Sequence, residues 1–129
     1  MKKIISFVLV CVMLLGCAFT LCSCGEPDSD PKDAAESLED DNYTVTVKEN
    51  VGGCKTYIYA YYNNVNEKSF DEVEIFYYAD EAAANKAYES KVKVFEALVE
   101  KQDEDYKYEY GIDGALIWYG TKAAIKAAK

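Results

Sequence analysis

Hydrophobic and polar positions divide the chain sharply at Cys24. Residues 4–21 form an almost unbroken apolar run behind Lys2 and Lys3, whereas residues 25–30 are glycine, proline, serine and acids. A positively charged start followed by an apolar segment is the layout of a secretory signal peptide. The run of 18 residues is also just long enough for a short transmembrane helix, so an uncleaved anchor is the alternative interpretation.

Two tetrapeptides in this region resemble the lipobox, the bacterial signal in which a cysteine is diacylated and becomes the new N-terminus. They are LLGC at residues 14–17 and LCSC at residues 21–24. The length of the apolar core favours Cys17, but cleavage there would leave an apolar tail with two free thiols. Cleavage before Cys24 leaves a polar tail. We therefore predict a signal peptide over residues 1–23, lipid attachment at Cys24 with Cys17 as the alternative, and a lipid-anchored flexible tether over residues 24–30.

Behind the tether, the apolar pattern predicts eight elements of secondary structure. Asp30 followed by Pro31 is a typical helix start, so a short helix is expected from residue 31 to about 40. Alternating positions predict three strands, at 43–47, 55–62 and 71–79, and an amphipathic stripe predicts a long helix over 80–101. Asp113-Gly114 between two alternating runs predicts a β-hairpin, and Thr121 can cap a final helix.

The order α-β-β-β-α-β-β-α, with short connections between strands, predicts a single α+β domain over residues 31–129. Its sheet should be mainly antiparallel with about five strands, and the helices should pack on one face. A chain of this length can form a modest core without help from disulfides. Cys54 is expected to be a small buried side chain rather than a nucleophile.

Charge and composition exclude several classes of function. Removal of residues 1–23 takes away two lysines and no acids, which changes the formal charge from −9 to −11. Nucleic acid binding needs a basic surface and is not expected. Attraction to anionic lipid is not expected either, so a diacylglyceryl group on Cys24 would have to hold the protein at the membrane. The chain has no histidine, and no residues have the spacing of a metal site or a catalytic triad, so we expect no cofactor.

Three segments carry a resemblance to a family. They are AAESLEDDNYTVTV from residue 34, IFYYADEAAANKAYE from residue 75 and WYGTKAAIKAA from residue 118. In these segments the chain resembles short uncharacterised lipoproteins of Gram-positive bacteria. The resemblance implies a lipobox signal peptide followed by a small α+β domain, and it implies no catalytic residues.

The predicted strand faces indicate one candidate binding surface. If all helices lie on one side of the sheet, four apolar side chains are left exposed on the other side: Trp118, Phe76, Tyr78 and Leu116. Exposed aromatic patches of this kind mark sites for proteins or other ligands. The alternative is that a terminal helix covers this face and that the four side chains belong to the core.

Taken together, these features predict a membrane-anchored extracytoplasmic lipoprotein whose domain is a non-enzymatic binding module. Its expected partner is an envelope protein or a glycan. The alternative is an accessory or hydrolytic protein that acts on cell-wall material through aspartate and glutamate carboxylates, although no pair of acids stands out.

Overall fold

The computed structural model describes residues 26–101 and 108–129. The predicted signal peptide, both candidate lipid-attachment cysteines and the first two residues of the predicted tether lie outside these ranges. Within them, no helix is long and apolar enough to cross a membrane.

Three helices and five strands make up the described ranges, in the order predicted from the sequence. They are α1 (Pro31–Asp40), β1 (Thr44–Val51), β2 (Cys54–Asn64), β3 (Ser69–Tyr77), α2 (Glu81–Glu100), β4 (Tyr108–Asp113), β5 (Leu116–Thr121) and α3 (Lys122–Ala127). The α+β class and the antiparallel sheet of five strands are thus confirmed.

Each helix begins where a side chain caps free backbone N–H groups. The carboxylate of Asp30 accepts a hydrogen bond of 2.8 Å from the backbone N–H two residues on. Asp80 accepts one of 2.8 Å from the N–H three residues on. The hydroxyl of Thr121 accepts a longer bond of 3.4 Å in the same way. The helix starts expected at Asp30 and Thr121 are therefore confirmed.

The strands lie in the order β1-β2-β3-β5-β4, and every neighbouring pair is antiparallel. The first three strands follow one another as a meander. The chain then passes through α2 to the far edge of the sheet, where β4 begins, and the β4–β5 hairpin brings β5 beside β3. As a result β5 is an inner strand, and every residue from Leu116 to Thr121 is buried.

The helices lie on both faces of the sheet, which corrects the expectation that they share one face. α1 and α3 pack against the face that carries Ile58, Ile75 and Trp118. α2 packs against the opposite face, where Ile117 belongs to a second cluster with Phe95 of that helix. Successive residues of a strand point to opposite sides. The apolar residues of β5 therefore contribute to two cores.

The β4–β5 hairpin forms as predicted, but its register differs by two residues. A two-residue loop at Asp113-Gly114 predicts that Ile112 pairs with Ala115, whereas Ile112 pairs with Ile117 and Asp113 pairs with Leu116. The connecting residues are therefore Gly114 and Ala115. Gly114 has a φ of +56°, a conformation that glycine adopts easily. Because side chains alternate with a period of two, this shift leaves every side chain on its predicted face.

The described part of the predicted tether is packed on the domain rather than free. Pro27 is buried. The backbone N–H of Asp28 donates to the carbonyl of Ala128 at 2.8 Å, and the hydroxyl of Tyr77 donates to the carbonyl of Asp28 at 2.7 Å. Composition gave no indication of this docking, because backbone groups make both contacts on the tether side.

Candidate functional site

The four side chains of the predicted aromatic patch do not form an exposed surface. Trp118, which is 8% exposed, and Leu116 are buried beneath α1 and α3. Phe76 and Tyr78 lie with the cluster on the opposite face, and Tyr78 is also buried. The prediction is wrong because it assumed one bare face. The alternative, in which a terminal helix covers Trp118, agrees with the structure.

A cleft of about 440 Å³ opens between α2 and the sheet, on the face that carries Phe76. This volume lies in the range typical of ligand pockets. The second half of α2 forms one wall, and β2, β3 and the β1–β2 turn form the other. Of the four residues in the predicted patch, Phe76 is the one that lines this cleft.

Helical spacing explains which side chains of α2 reach the cleft. Lys91, Val94, Phe95 and Leu98 lie at positions i, i+3, i+4 and i+7 of the helix and therefore share one stripe. Phe95 anchors this stripe to the sheet, because its ring stacks on Tyr119 with 4.9 Å between the centroids. α2 packs on β4 and β5. The side of the stripe that bears Val94 and Leu98 therefore faces the cleft rather than a strand.

Three large apolar side chains at the cleft are strongly exposed. Val51 is 42% exposed, Val94 is 56% exposed and Leu98 is 43% exposed. Single exposed apolar residues are common on protein surfaces and need no explanation. These three come from two distant parts of the chain and line the same cavity. A concentration of this kind is typical of a binding site.

Polar groups occupy defined positions in the cleft. The hydroxyl of Tyr57 donates to Oε1 of Glu74 at 2.7 Å. Burial and this hydrogen bond raise the pKa of Tyr57 above its ordinary value, so its phenol stays protonated at neutral pH. The ammonium of Lys91 lies 4.2 Å from the centre of the Phe76 ring, which is a cation–π contact. Lys91 makes no ion pair with a carboxylate of the described residues.

A second carboxylate, Glu72, fixes the sheet next to the cleft. Its Oε2 accepts a hydrogen bond of 2.8 Å from the Tyr59 hydroxyl, and its Oε1 accepts one of 2.8 Å from Tyr108. Tyr108 belongs to the edge strand β4, so this contact crosses β5 to reach β3. Burial and the bond to Glu72 raise the pKa of Tyr59 to about 12. Both oxygens of Glu72 are thus committed to holding strands together.

Neither metal binding nor thiol chemistry is indicated in the described ranges. They contain no group of three or more ligating side chains that could hold a metal ion. Cys54 borders the cleft, but it is buried and its thiol donates to the carbonyl of Val51 at 2.7 Å. Burial raises its pKa, which disfavours the reactive thiolate. The expectation that Cys54 is a buried side chain is confirmed.

The cleft itself was not predicted from the sequence. Lys91, Phe95 and Leu98 belong to the amphipathic stripe that predicted the long helix, and Val94 could have been added from its spacing. Val51 gave no signal, since it stands beside a glycine turn. The size of the cleft depends on where α2 rests on the sheet, which a one-dimensional pattern does not contain.

Comparison of the chain with family models, with curated proteins and with solved structures found no match.

Proposed function

We propose that this chain is a lipoprotein on the extracellular face of the cell membrane, anchored through a diacylglyceryl group on Cys24, and that its domain is a non-enzymatic binding module. The lipobox-like LCSC tetrapeptide behind an apolar run supports the anchor. The observation that carries the binding role is the convergence of Val51, Val94 and Leu98 on one cleft.

The apolar wall of the cleft favours an apolar side chain of a polypeptide partner, and the acidic domain around it favours basic residues beside that side chain. Burial of one large apolar side chain contributes about 1.5–3 kcal/mol, so further contacts around the cleft must add to the affinity. The predicted mature chain carries a formal charge of −11, which attracts a basic partner and repels an acidic one. An envelope protein with a basic and apolar segment meets both conditions.

The anchor is tested by mass spectrometry of the mature N-terminal peptide from membranes of the native host. A diacylglyceryl-modified Cys24 is the expected result. A lipid on Cys17 would move the anchor seven residues upstream and keep the rest of the proposal. An intact Met1 or an unmodified terminus would contradict the anchor.

The cleft is tested with variants that place a charge on its apolar wall. Val94→Lys and Leu98→Lys should each weaken binding of short peptides that combine leucine or phenylalanine with lysine or arginine. Val65→Lys is the matched control, because Val65 is 79% exposed in the β2–β3 turn and lies outside the cleft. Fluorescence polarisation measures the affinity, and circular dichroism checks that each variant is folded.

Two outcomes of this experiment would contradict the cleft as the binding site. One is an equal loss of affinity in Val65→Lys, which would indicate a general charge effect. The other is undiminished binding in both cleft variants. Peptides in which acids replace the basic residues should bind more weakly to the wild type, since the domain is acidic.

A hydrolytic role through carboxylates is the competing proposal. Glu74 lines the cleft, and Glu72 lies two residues before it on the same face of β3. Both already accept hydrogen bonds from tyrosines, and Glu72 accepts two. This supports a structural use of Glu72. If the protein is a hydrolase, Glu74→Gln should abolish turnover of cell-wall saccharide while leaving saccharide affinity intact. If it is a binding module, the wild type and Glu74→Gln should show the same background turnover of the saccharide.

A further inference from the structure

The segment before α1 leaves the domain at a fixed place. Besides the contacts of Asp28 with Tyr77 and Ala128, the carboxylate of Asp28 accepts a hydrogen bond of 2.9 Å from the backbone N–H of Asp30. Pro27 is buried beside these contacts. The segment therefore behaves as part of the domain up to Pro27.

This segment lies at one particular end of the sheet. Together with that end it encloses a cavity of about 450 Å³, whose lining includes Glu26, Lys55 and the residues of the β4–β5 turn. The β1–β2 turn precedes Lys55 directly, so it lies at the same end. The β2–β3 turn, which contains Val65, lies at the opposite end because β2 runs the length of the sheet.

In the sequence, only one residue separates Cys24 from Glu26. An extended chain spans at most about 3.6 Å per residue, so the lipid-bearing residue can be no more than roughly 10 Å from the docked segment. A link this short cannot let the domain turn over. The length of the connection, together with the docked segment, restricts which end can approach the bilayer.

We infer that the domain stands on the lipid surface in one orientation, with the end formed by the β1–β2 and β4–β5 turns facing the headgroups. This inference rests on the anchor at Cys24 in the proposed function. The contact surface is the sheet end around Lys55, and its partner is the bilayer itself. The cleft, which begins at Val51, the last residue of β1 before the β1–β2 turn, then lies beside the membrane.

The charges at the two ends of the sheet do not set the orientation. Lys55 lines the cavity at the anchor end together with two acids, Glu26 and Asp113. Lys126 lines a depression at the opposite end together with Asp41, Glu67 and Asp71. Both ends therefore carry acids and lysines, and the orientation follows from the short connection to the docked segment.

Distance-dependent quenching tests the orientation in the full-length lipidated protein. Lys55→Cys and Val65→Cys are made in a Cys54→Ala background, and each is labelled with the same fluorophore. The protein is reconstituted in vesicles of phosphatidylglycerol and phosphatidylethanolamine that contain a headgroup spin-labelled lipid. Lys55 is the second residue of β2 and Val65 follows its last residue, so the two positions are ten residues apart, which corresponds to roughly 33 Å in a strand.

The expected result is quenching several-fold stronger at position 55 than at position 65. Insertion of a Gly/Ser linker of about ten residues between Cys24 and Gly25 should reduce this difference, because the domain then turns freely. Equal quenching at both positions in membrane-bound wild-type chain, or stronger quenching at 65, would overturn the orientation and leave the anchor intact. Protein that does not bind the vesicles at all would instead overturn the anchor on which the orientation rests.

Discussion

The indole ring of Trp118 lies directly over Gly111, its cross-strand partner in the β4–β5 hairpin. A Cβ atom at position 111 would overlap Cζ2 of the indole and stand 2.9 Å from Cε2. The ring therefore occupies the space that any other residue at 111 would need. This pairing also explains why Trp118 can be buried next to an edge strand.

Gly111→Ala should destabilise the protein by about 1–3 kcal/mol, the usual cost of overpacking a well-packed site. Chemical denaturation followed by tyrosine and tryptophan fluorescence measures the loss. In a Trp118→Leu background the same substitution should cost much less, because the ring is gone. An undiminished cost in that background would contradict the explanation. Glu109→Ala, at an exposed position of the same strand, is the control.

Glu72 should be worth more to stability than other half-buried acids of the sheet. Glu72→Gln replaces one acceptor oxygen by an amide that cannot accept from a tyrosine hydroxyl. We expect a loss of about 1.5–3 kcal/mol, as is usual for hydrogen bonds to a charged group. Urea denaturation measures it, and Tyr59→Phe and Tyr108→Phe should each reproduce part of it.

The matched control for Tyr59→Phe is Tyr61→Phe on the same face of β2. The Tyr61 hydroxyl makes no hydrogen bond to a residue of the described ranges, and its ring is partly exposed. Removal of the Tyr61 hydroxyl should therefore lower the free energy of unfolding by less than removal of the Tyr59 hydroxyl does. Equal effects at positions 59 and 61 would show that the bond to Glu72 contributes nothing.

The docked N-terminal segment should loosen as the pH rises through neutrality. Burial, with a hydrogen bond to Asp113 and repulsion from its charge, raises the pKa of Glu26 from its ordinary 4.5 to about 7, against the attraction of Lys129. The folded protein thus holds a proton that the unfolded chain releases between pH 4.5 and about 7. The resulting stabilisation is complete at low pH and is lost as the pH rises past about 7.

Unfolding free energies of wild type and Glu26→Gln, measured across this pH range, test the prediction. As the pH rises, the wild type should lose stability relative to the glutamine variant. A difference that stays constant would show that Glu26 titrates normally. Hydrogen exchange at the Asp28 N–H should accelerate beyond its intrinsic pH dependence over the same range.

Cys54 should react slowly with maleimides in the folded protein. The residue is 4% exposed, its thiol donates to the carbonyl of Val51, and burial raises the thiol pKa. Because the thiolate is the reactive form, both effects lower the rate. Labelling followed by mass spectrometry should show a large acceleration on addition of denaturant. Rapid labelling without denaturant would contradict the packing around the β1–β2 turn.

The elements could be predicted from local rules, and their arrangement could not. Alternation in strands, the caps at Asp30 and Thr121 and the existence of the β4–β5 hairpin are all short-range signals, and each was interpreted correctly, although the hairpin register was wrong by two residues. The main error concerned what covers the two faces of β5. Its apolar residues fall on both sides, with Trp118 on one and Ile117 on the other. A strand of that kind needs cover on both faces, so helices on both sides were the better interpretation.

The cleft depends on a different kind of information. Val51 and Leu98 are far apart in the chain, and they line the same cavity only because α2 rests on β4 and β5 rather than at the centre of the sheet. That position is set by the fit of Phe95 against the tyrosines of those strands. The position of α2 thus depends on contacts between rings that are distant in sequence. The residue pattern along one strand or helix does not contain this information.

The hydrogen bond between Asp28 and Ala128 joins the two ends of the domain. Anything fused after Lys129 emerges beside Glu26, where the predicted anchor also begins. An affinity tag or fluorescent protein at that position would push the domain away from the bilayer and cover the sheet end inferred to face it. The turn around Val65 is the better insertion point for a reporter. Because Asp28 and Ala128 are hydrogen-bonded neighbours, a short loop could also connect these two parts of the chain in a circular permutant.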